Sequence, residues 1–156
     1  HTGHVIGIEM TTEMLTLARD NAEKLRTNNV VFKLGHIESI PQSDNSVDLV
    51  ISNCVIALSE KKSRVFSEIF RILKPGGRFV ISDVVTEKPL PGDVRKSAAE
   101  WVDCVGGAAV MSEYIEMIAD AGFLDVEVLE KQTRSSGAEA WRDLLINLTV
   151  RAFKKV

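Results

Sequence analysis

The sequence predicts an α/β domain built on a mostly parallel sheet with an antiparallel last strand. Three observations predict it. Short apolar runs alternate with stretches of helical periodicity from one end of the chain to the other. An acidic residue, Glu9, directly follows the first apolar run, at the strand end where sheets of this kind bind ligand. The last two strand-like runs flank only a short turn region, which allows the final strand to run antiparallel.

The elements follow in order. Val5-Ile6-Gly7-Ile8 is a short apolar run of the kind a buried parallel strand uses. Met14, Leu15, Ala18, Ala22 and Leu25 then recur at helical spacing, with Thr11 or Thr12 as the cap. Asn28-Asn29 ends that helix, and Val30-Val31-Phe32-Lys33-Leu34 forms a second strand. The turn-rich segment from Pro41 to Ser46 leads into a third, Val47-Asp48-Leu49-Val50-Ile51-Ser52. Val65, Phe66, Ile69, Phe70 and Leu73 mark one face of the next helix, which Lys74-Pro75-Gly76-Gly77 stops. Arg78-Phe79-Val80-Ile81-Ser82 is a fourth strand. Beyond the Pro89-Leu90-Pro91-Gly92 loop, helices are expected over about 93–105 and 112–121. Gly122 ends the second, and a strand runs from about Phe123 to Glu130. A polar stretch around 132–137 precedes a helix-then-strand segment closing with Leu148-Thr149-Val150-Arg151-Ala152-Phe153.

With 156 residues, 45% of them apolar and 26% charged, the chain suits one domain with a sizeable core. It shows no internal repeat and no linker. The net charge of −3 argues against nucleic acid or an anionic membrane surface as partner, since either calls for a basic patch. No apolar run reaches membrane-spanning length. Two cysteines, Cys54 and Cys104, favour the reducing cytoplasm over a disulfide framework.

Several residues invite a chemical reading. Glu9 is placed to accept hydrogen bonds from two ribose hydroxyls, against the plainer reading of a solvated carboxylate at a strand end. The thioether of Met10 can lie against an aromatic base, although a single Met is more often core filler. Cys54 falls at the carboxyl end of the third strand, and Cys104 just before Gly106-Gly107, where backbone can approach a neighbour closely. A lone cysteine is most often simply packed.

The segments Gly7-Ile8-Glu9-Met10-Thr11, Leu34-Gly35-His36-Ile37-Glu38, Ser52-Asn53-Cys54-Val55-Ile56-Ala57-Leu58, Leu73-Lys74-Pro75-Gly76-Gly77-Arg78 and Ile81-Ser82-Asp83-Val84 occur in that order. Together they resemble the Rossmann-like class I S-adenosylmethionine (SAM)-dependent methyltransferases, and most closely the arsenite methyltransferases. The Lys-Pro-Gly-Gly turn marks the wide superfamily. The Asn-Cys-Val-Ile-x-Leu segment and Trp101-Val102-Asp103-Cys104-Val105-Gly106-Gly107-Ala108 are narrower markers. The resemblance implies that Glu9 binds the cofactor ribose and Met10 borders the adenine. It places His36 and Ile37 at the adenine and Asn53 near the methionine portion of SAM. Position 9 is more often Asp in the superfamily, and position 36 is commonly acidic or another polar residue. The resemblance further implies that Cys54 and Cys104 hold trivalent arsenic, presented as arsenite, methylarsenite or their thiol conjugates.

The chemistry suits two thiols. Trivalent arsenic is soft and takes thiolate ligands by the logic that governs soft metals. Its lone pair carries no proton, so methylation needs no general base, whereas oxygen or nitrogen acceptors usually profit from one, often His. The three histidines are His1, His4 and His36, with none in the later part of the chain; Asp83, Glu100 and Asp103 stay open as acidic alternatives. Two other readings stand beside this one: another small-molecule carbon or oxygen methyltransferase with packed cysteines, or a non-catalytic module of the same fold.

The superfamily's glycine-rich loop and the strand before it have no counterpart downstream of His1, and neither does the family's further cysteine. The expectation is therefore a single partial methyltransferase domain over 1–156 whose native chain extends upstream. On its own such a piece would bind SAM weakly and self-associate through unpaired sheet edges.

Overall fold

The apolar runs read as strands do form strands, and they assemble into two sheets. The computed structural model describes residues 3–134 and 139–155. Strands β1 (Val5–Glu9) and β2 (Val30–Leu34) pair in parallel, Val5 opposite Val30 and Glu9 opposite Leu34, with helix α1 (Thr12–Lys24) crossing between them. The larger sheet has the order β3-β4-β6-β5, from β3 (Val47–Asn53), β4 (Leu73–Thr86), β5 (Leu124–Thr133) and β6 (Leu145–Phe153). β3 and β4 are parallel, while β6 runs antiparallel to both β4 and β5, as expected for the last strand. Among the described residues no helix is long and apolar enough to cross a membrane.

One face of the larger sheet carries the main core. Helix α2 (Lys62–Ile72) presents Val65, Phe66, Ile69 and Ile72 to it, a spacing that keeps all four on one side. Helix α5 (Met111–Asp120) adds Tyr114 and Ile118, and the sheet answers with Phe79 and Ile81 from β4 and Leu148 and Val150 from β6. Phe66 meets Tyr114 edge-on at 5.2 Å and Phe79 meets Phe123 at 4.7 Å. Edge-to-face pairs of this kind contribute about 0.5–1.5 kcal/mol each beyond the area they bury.

Four local features differ from the expectation. β1 is not fully buried: Val5 is 56% and Ile6 39% exposed, because among the described residues only β2 pairs with it. The outer strand β3 likewise leaves Ile51 74% exposed. The Lys74-Pro75-Gly76-Gly77 turn does end α2, yet its residues belong to β4 as an irregularity. Leu73 pairs with Val47 and Arg78 already with Leu49, while the backbone of Gly76 and Gly77 bonds to Lys154. A Cβ at Gly77 would stand 2.8 Å from the Lys74 carbonyl oxygen, so the turn excludes any larger residue. The helix read over 93–105 is two short ones, α3 (Gly92–Lys96) and α4 (Ala98–Val102). They are separated by Ser97, which is extended and caps α4 through Glu100 N–H.

The end of the chain also differs in detail. The polar stretch around 132–137 begins as strand, since β5 runs to Thr133, and residues 135–138 lie outside the described residues. The last helix is a 3-10 turn over Ala140–Leu144.

An ionic node ties the segment between β2 and β3 to α2. Glu68 is 3% exposed; its Oε2 accepts the Ile40 N–H at 2.9 Å and an Arg71 N–H at 2.7 Å. Arg71 donates further to the carbonyls of Ile40 and Gln42 and to Asp44. The Arg71 hydrogen bonds hold the Glu68 carboxyl below the usual range against the opposing effect of burial. Such a group contributes stability above its unfolded value that is lost as pH falls through the folded one. Glu68→Ala should therefore cost about 3 kcal/mol in a urea titration at pH 7, with the gap to wild type narrowing by pH 3. An unchanged midpoint at pH 7 would contradict the node's structural role.

Candidate active site

The carboxyl ends of β1 and β2 form one side of the site. Glu9 is the last residue of β1 and its own carbonyl accepts the Gly35 N–H at 3.0 Å, holding the exits of the two strands together. Its half-buried side chain reaches forward to the start of α1, Oε1 accepting the Thr11 N–H at 2.8 Å. Thr11 is the N-cap of α1 by position, but Glu9 supplies the hydrogen bond there and the Thr11 side chain makes none. Among the described residues the second Glu9 oxygen has no hydrogen-bond partner, which suits a carboxylate that takes a ribose diol. Met10 is 64% exposed beside it. His36 is also exposed and joins Ser39 in a backbone bridge, while Ile37 is half-buried and packs against the main core. An acidic group flanked by exposed thioether and partly exposed aliphatic surface fits a nucleoside.

The two cysteines lie after β3 and after α4. β3 ends at Asn53, and Cys54 follows with φ 53°, its N–H still bonded to the Ser82 carbonyl of β4 at 2.9 Å. Cys104 follows α4 with φ 63°. Positive φ is uncommon for any residue with a Cβ, and both cysteines adopt it. The Cys104 thiol donates to the Cys54 carbonyl at 3.1 Å, across fifty residues of sequence. Both side chains are half-buried against a second apolar cluster of Val84, Leu90, Val94, Val105 and Leu145. Burial, with smaller contributions from Cys54 and Asp83, pushes the Cys104 thiol up to about 11, so it is a protonated donor at neutral pH. Asn53 is exposed and lines a polar hollow of about 270 Å³ with Cys54, Ser82, Glu130, Asn147 and Thr149. A larger cleft of about 920 Å³ lies by the first turn of α2 and contains neither thiol. Among the described residues no cluster of three metal-ligating side chains occurs.

The turns bearing the cysteines meet again at Ala57, in a 3-10 turn over Ile56–Leu58. Its N–H donates to Asp83 Oδ2 at 2.9 Å, and its carbonyl accepts from Lys62 Nζ at 3.1 Å. Gly107 packs on that same carbonyl; a Cβ there would come within 2.1 Å of the oxygen. Tyr114 OH donates to Asp83 Oδ2 at 3.1 Å, and the Val84 N–H donates to Oδ1. Burial pushes the Asp83 carboxyl up to about 6 against these hydrogen bonds. Of the other acidic residues, Glu100 pairs with Arg142 and Asp103 is exposed. The close approach expected at Gly106-Gly107 is found at Gly107, whereas Lys62 and Tyr114 carried no signal in the sequence. The one signal there was Asp83, a charge set in the otherwise apolar end of β4.

A parallel β1–β2 pair closed by an acidic residue, beside a mixed sheet with an antiparallel last strand, is the arrangement of the Rossmann-like class I methyltransferase fold. The sequence matches the methyltransferase domain family over residues 1–133, and the chain belongs to it. It is 43% identical to an arsenite methyltransferase of Halobacterium salinarum over 97% of this chain and 40% of that protein. It is 36% identical to one of Aquipseudomonas alcaligenes over 98% of this chain and 48% of that protein. The chain thus spans less than half the length of these relatives. The crystal structure of an arsenic(III) S-adenosylmethionine methyltransferase from Chlamydomonas reinhardtii superposes with a TM-score of 0.86 at 34% identity. That match covers 98% of this chain and 56% of that one.

The burial of Cys104 predicts slow alkylation. At pH 8 only about one Cys104 thiol in a thousand is ionised, so its reaction with iodoacetamide should accelerate about tenfold per pH unit up to pH 10. Mass spectrometry of the Cys104 peptide reads this directly, and a rate that levels off below pH 9 would contradict it.

Proposed function

We propose that this domain transfers the methyl group of SAM to trivalent arsenic held by Cys54 and Cys104. The observation that carries the reading is the convergence of the two thiols, with Cys104 Sγ 3.1 Å from the Cys54 carbonyl oxygen at the carboxyl end of β3. Similarity to proteins named arsenite methyltransferases supports the same acceptor. Glu9 binds the ribose hydroxyls, Met10, His36 and Ile37 border the adenine, and Asn53 lies toward the methionine portion. SAM, when bound, supplies an electrophilic methyl group on a sulfonium centre.

The chain's own part is capture and orientation. Each thiol exchanges its proton for an arsenic–sulfur bond, and the proton leaves with an arsenic hydroxide ligand as water. The raised Cys104 value means that this thiol rests protonated and must give up its proton as the arsenic–sulfur bond forms. Two sulfur ligands from rigid turns fix where the arsenic lone pair points. Orientation of this kind is worth effective molarities on the order of 10⁵ M. An arsenic lone pair carries no proton, so the transfer itself needs no general base.

In the native protein, Cys54→Ser and Cys104→Ser should each lower kcat/KM for arsenite at least about 100-fold, on the order of 3 kcal/mol in transition-state stabilisation. Both should shift folding stability by less than about 1 kcal/mol, since serine is nearly isosteric and the thiols are only half-buried. Retention of full arsenite methylation by both variants would overturn the proposal.

A further inference from the structure

We propose that Asp83 is a positioning residue that sets the spacing of the two thiols through the backbone of Ala57, an inference that rests on the two-thiol reading above. The two cysteine-bearing turns touch at two points with matching offsets. At the first, Cys104 Sγ meets the Cys54 carbonyl. At the second, three residues on in each turn, Gly107 meets the Ala57 carbonyl. Two contacts define a register where one would leave a pivot.

Ala57 is fully buried and both its backbone groups are held by charged side chains, Asp83 at the N–H and Lys62 at the carbonyl. Lys62 also bonds to the Ser59 carbonyl, and the two ions make no direct hydrogen bond to each other. Withdrawing a carboxylate and an ammonium from water to hold one alanine is expensive, and an apolar contact would have closed the same core. What the charges add is direction. They fix the turn after Cys54 at both ends of one residue, and Gly107 lets the Cys104 turn close on it without a side chain between.

Asp83 is itself rigid. It is 2% exposed on β4, one residue beyond the Ser82 carbonyl that takes the Cys54 N–H, and Tyr114 on α5 holds the same oxygen that grips Ala57. A chain of contacts thus runs from the main core through Tyr114 and Asp83 to Ala57, and from Ala57 to Gly107 in the turn that carries Cys104. Asp83 borders the same hollow as Cys54, yet its hydrogen bonds go to Ala57, Val84 and Tyr114 and to neither sulfur atom.

The test compares capture by two thiols with reaction at one. A trivalent phenylarsenical, which bridges two thiols only when their spacing suits it, is titrated into the native protein. Wild type should bind one equivalent and Cys54→Ser should bind at least 10-fold more weakly. Failure of that step refutes the two-thiol reading itself. Given that step, Asp83→Asn should weaken bridging at least 10-fold while iodoacetamide reacts with each cysteine within about 3-fold of its wild-type rate. In the Cys54→Ser background Asp83→Asn should have no further effect on the phenylarsenical. Wild-type bridging by Asp83→Asn, or an equal loss in both backgrounds, overturns the proposal. Should Asp83→Asn not fold, Tyr114→Phe decides, with a 2- to 5-fold weakening expected and no change overturning it.

Discussion

The Cys104 thiol meets the Cys54 carbonyl where the chain turns left-handed at both cysteines, and the two turns are then clamped at Ala57. Holding an L-residue in that region costs on the order of 1–3 kcal/mol, and it occurs at both Cys54 and Cys104. The cost is offset locally. Ile56, Ala57 and Val105 are buried just past the two strained residues, and backbone hydrogen bonds to Ser82 and Trp101 close each turn. The surrounding core thus over-determines both strained residues.

Helix α2 is the part of the fold that makes the two sides of the site a single unit. Its first residue, Lys62, grips the turn after Cys54. Two turns later Glu68 and Arg71 grip the segment that carries His36 and Ile37. Both ends of the helix are anchored in the same core by Val65, Phe66, Ile69 and Ile72. A displacement of α2 would move the thiol turn and the loop after β2 together, which is a sound arrangement for a reaction between a bound cofactor and a thiol-held acceptor.

Much of this was legible in the sequence, and for identifiable reasons. Strand and helix assignments rested on apolar periodicity, a local signal that survives without tertiary context; β2, β3 and α2 fall where it places them. The cysteines stood out only because both lie inside narrow family motifs, and the structure brings them together. What was not legible is nonlocal. Nothing near Lys62 or Tyr114 in sequence tells that they converge on Ala57 and Asp83, and the exposure of β1 depends on which strands flank it. Ser97 splits a helix whose apolar pattern continues, because its side chain and extended backbone start a new first turn instead.

The central claim is that Cys54 and Cys104 ligate arsenic, and X-ray absorption at the arsenic edge tests it most directly. Native protein loaded with arsenite should show sulfur neighbours around arsenic, and Cys104→Ser should show one sulfur fewer. Identical sulfur coordination in the two proteins, or an arsenic shell made only of oxygen, would contradict the account.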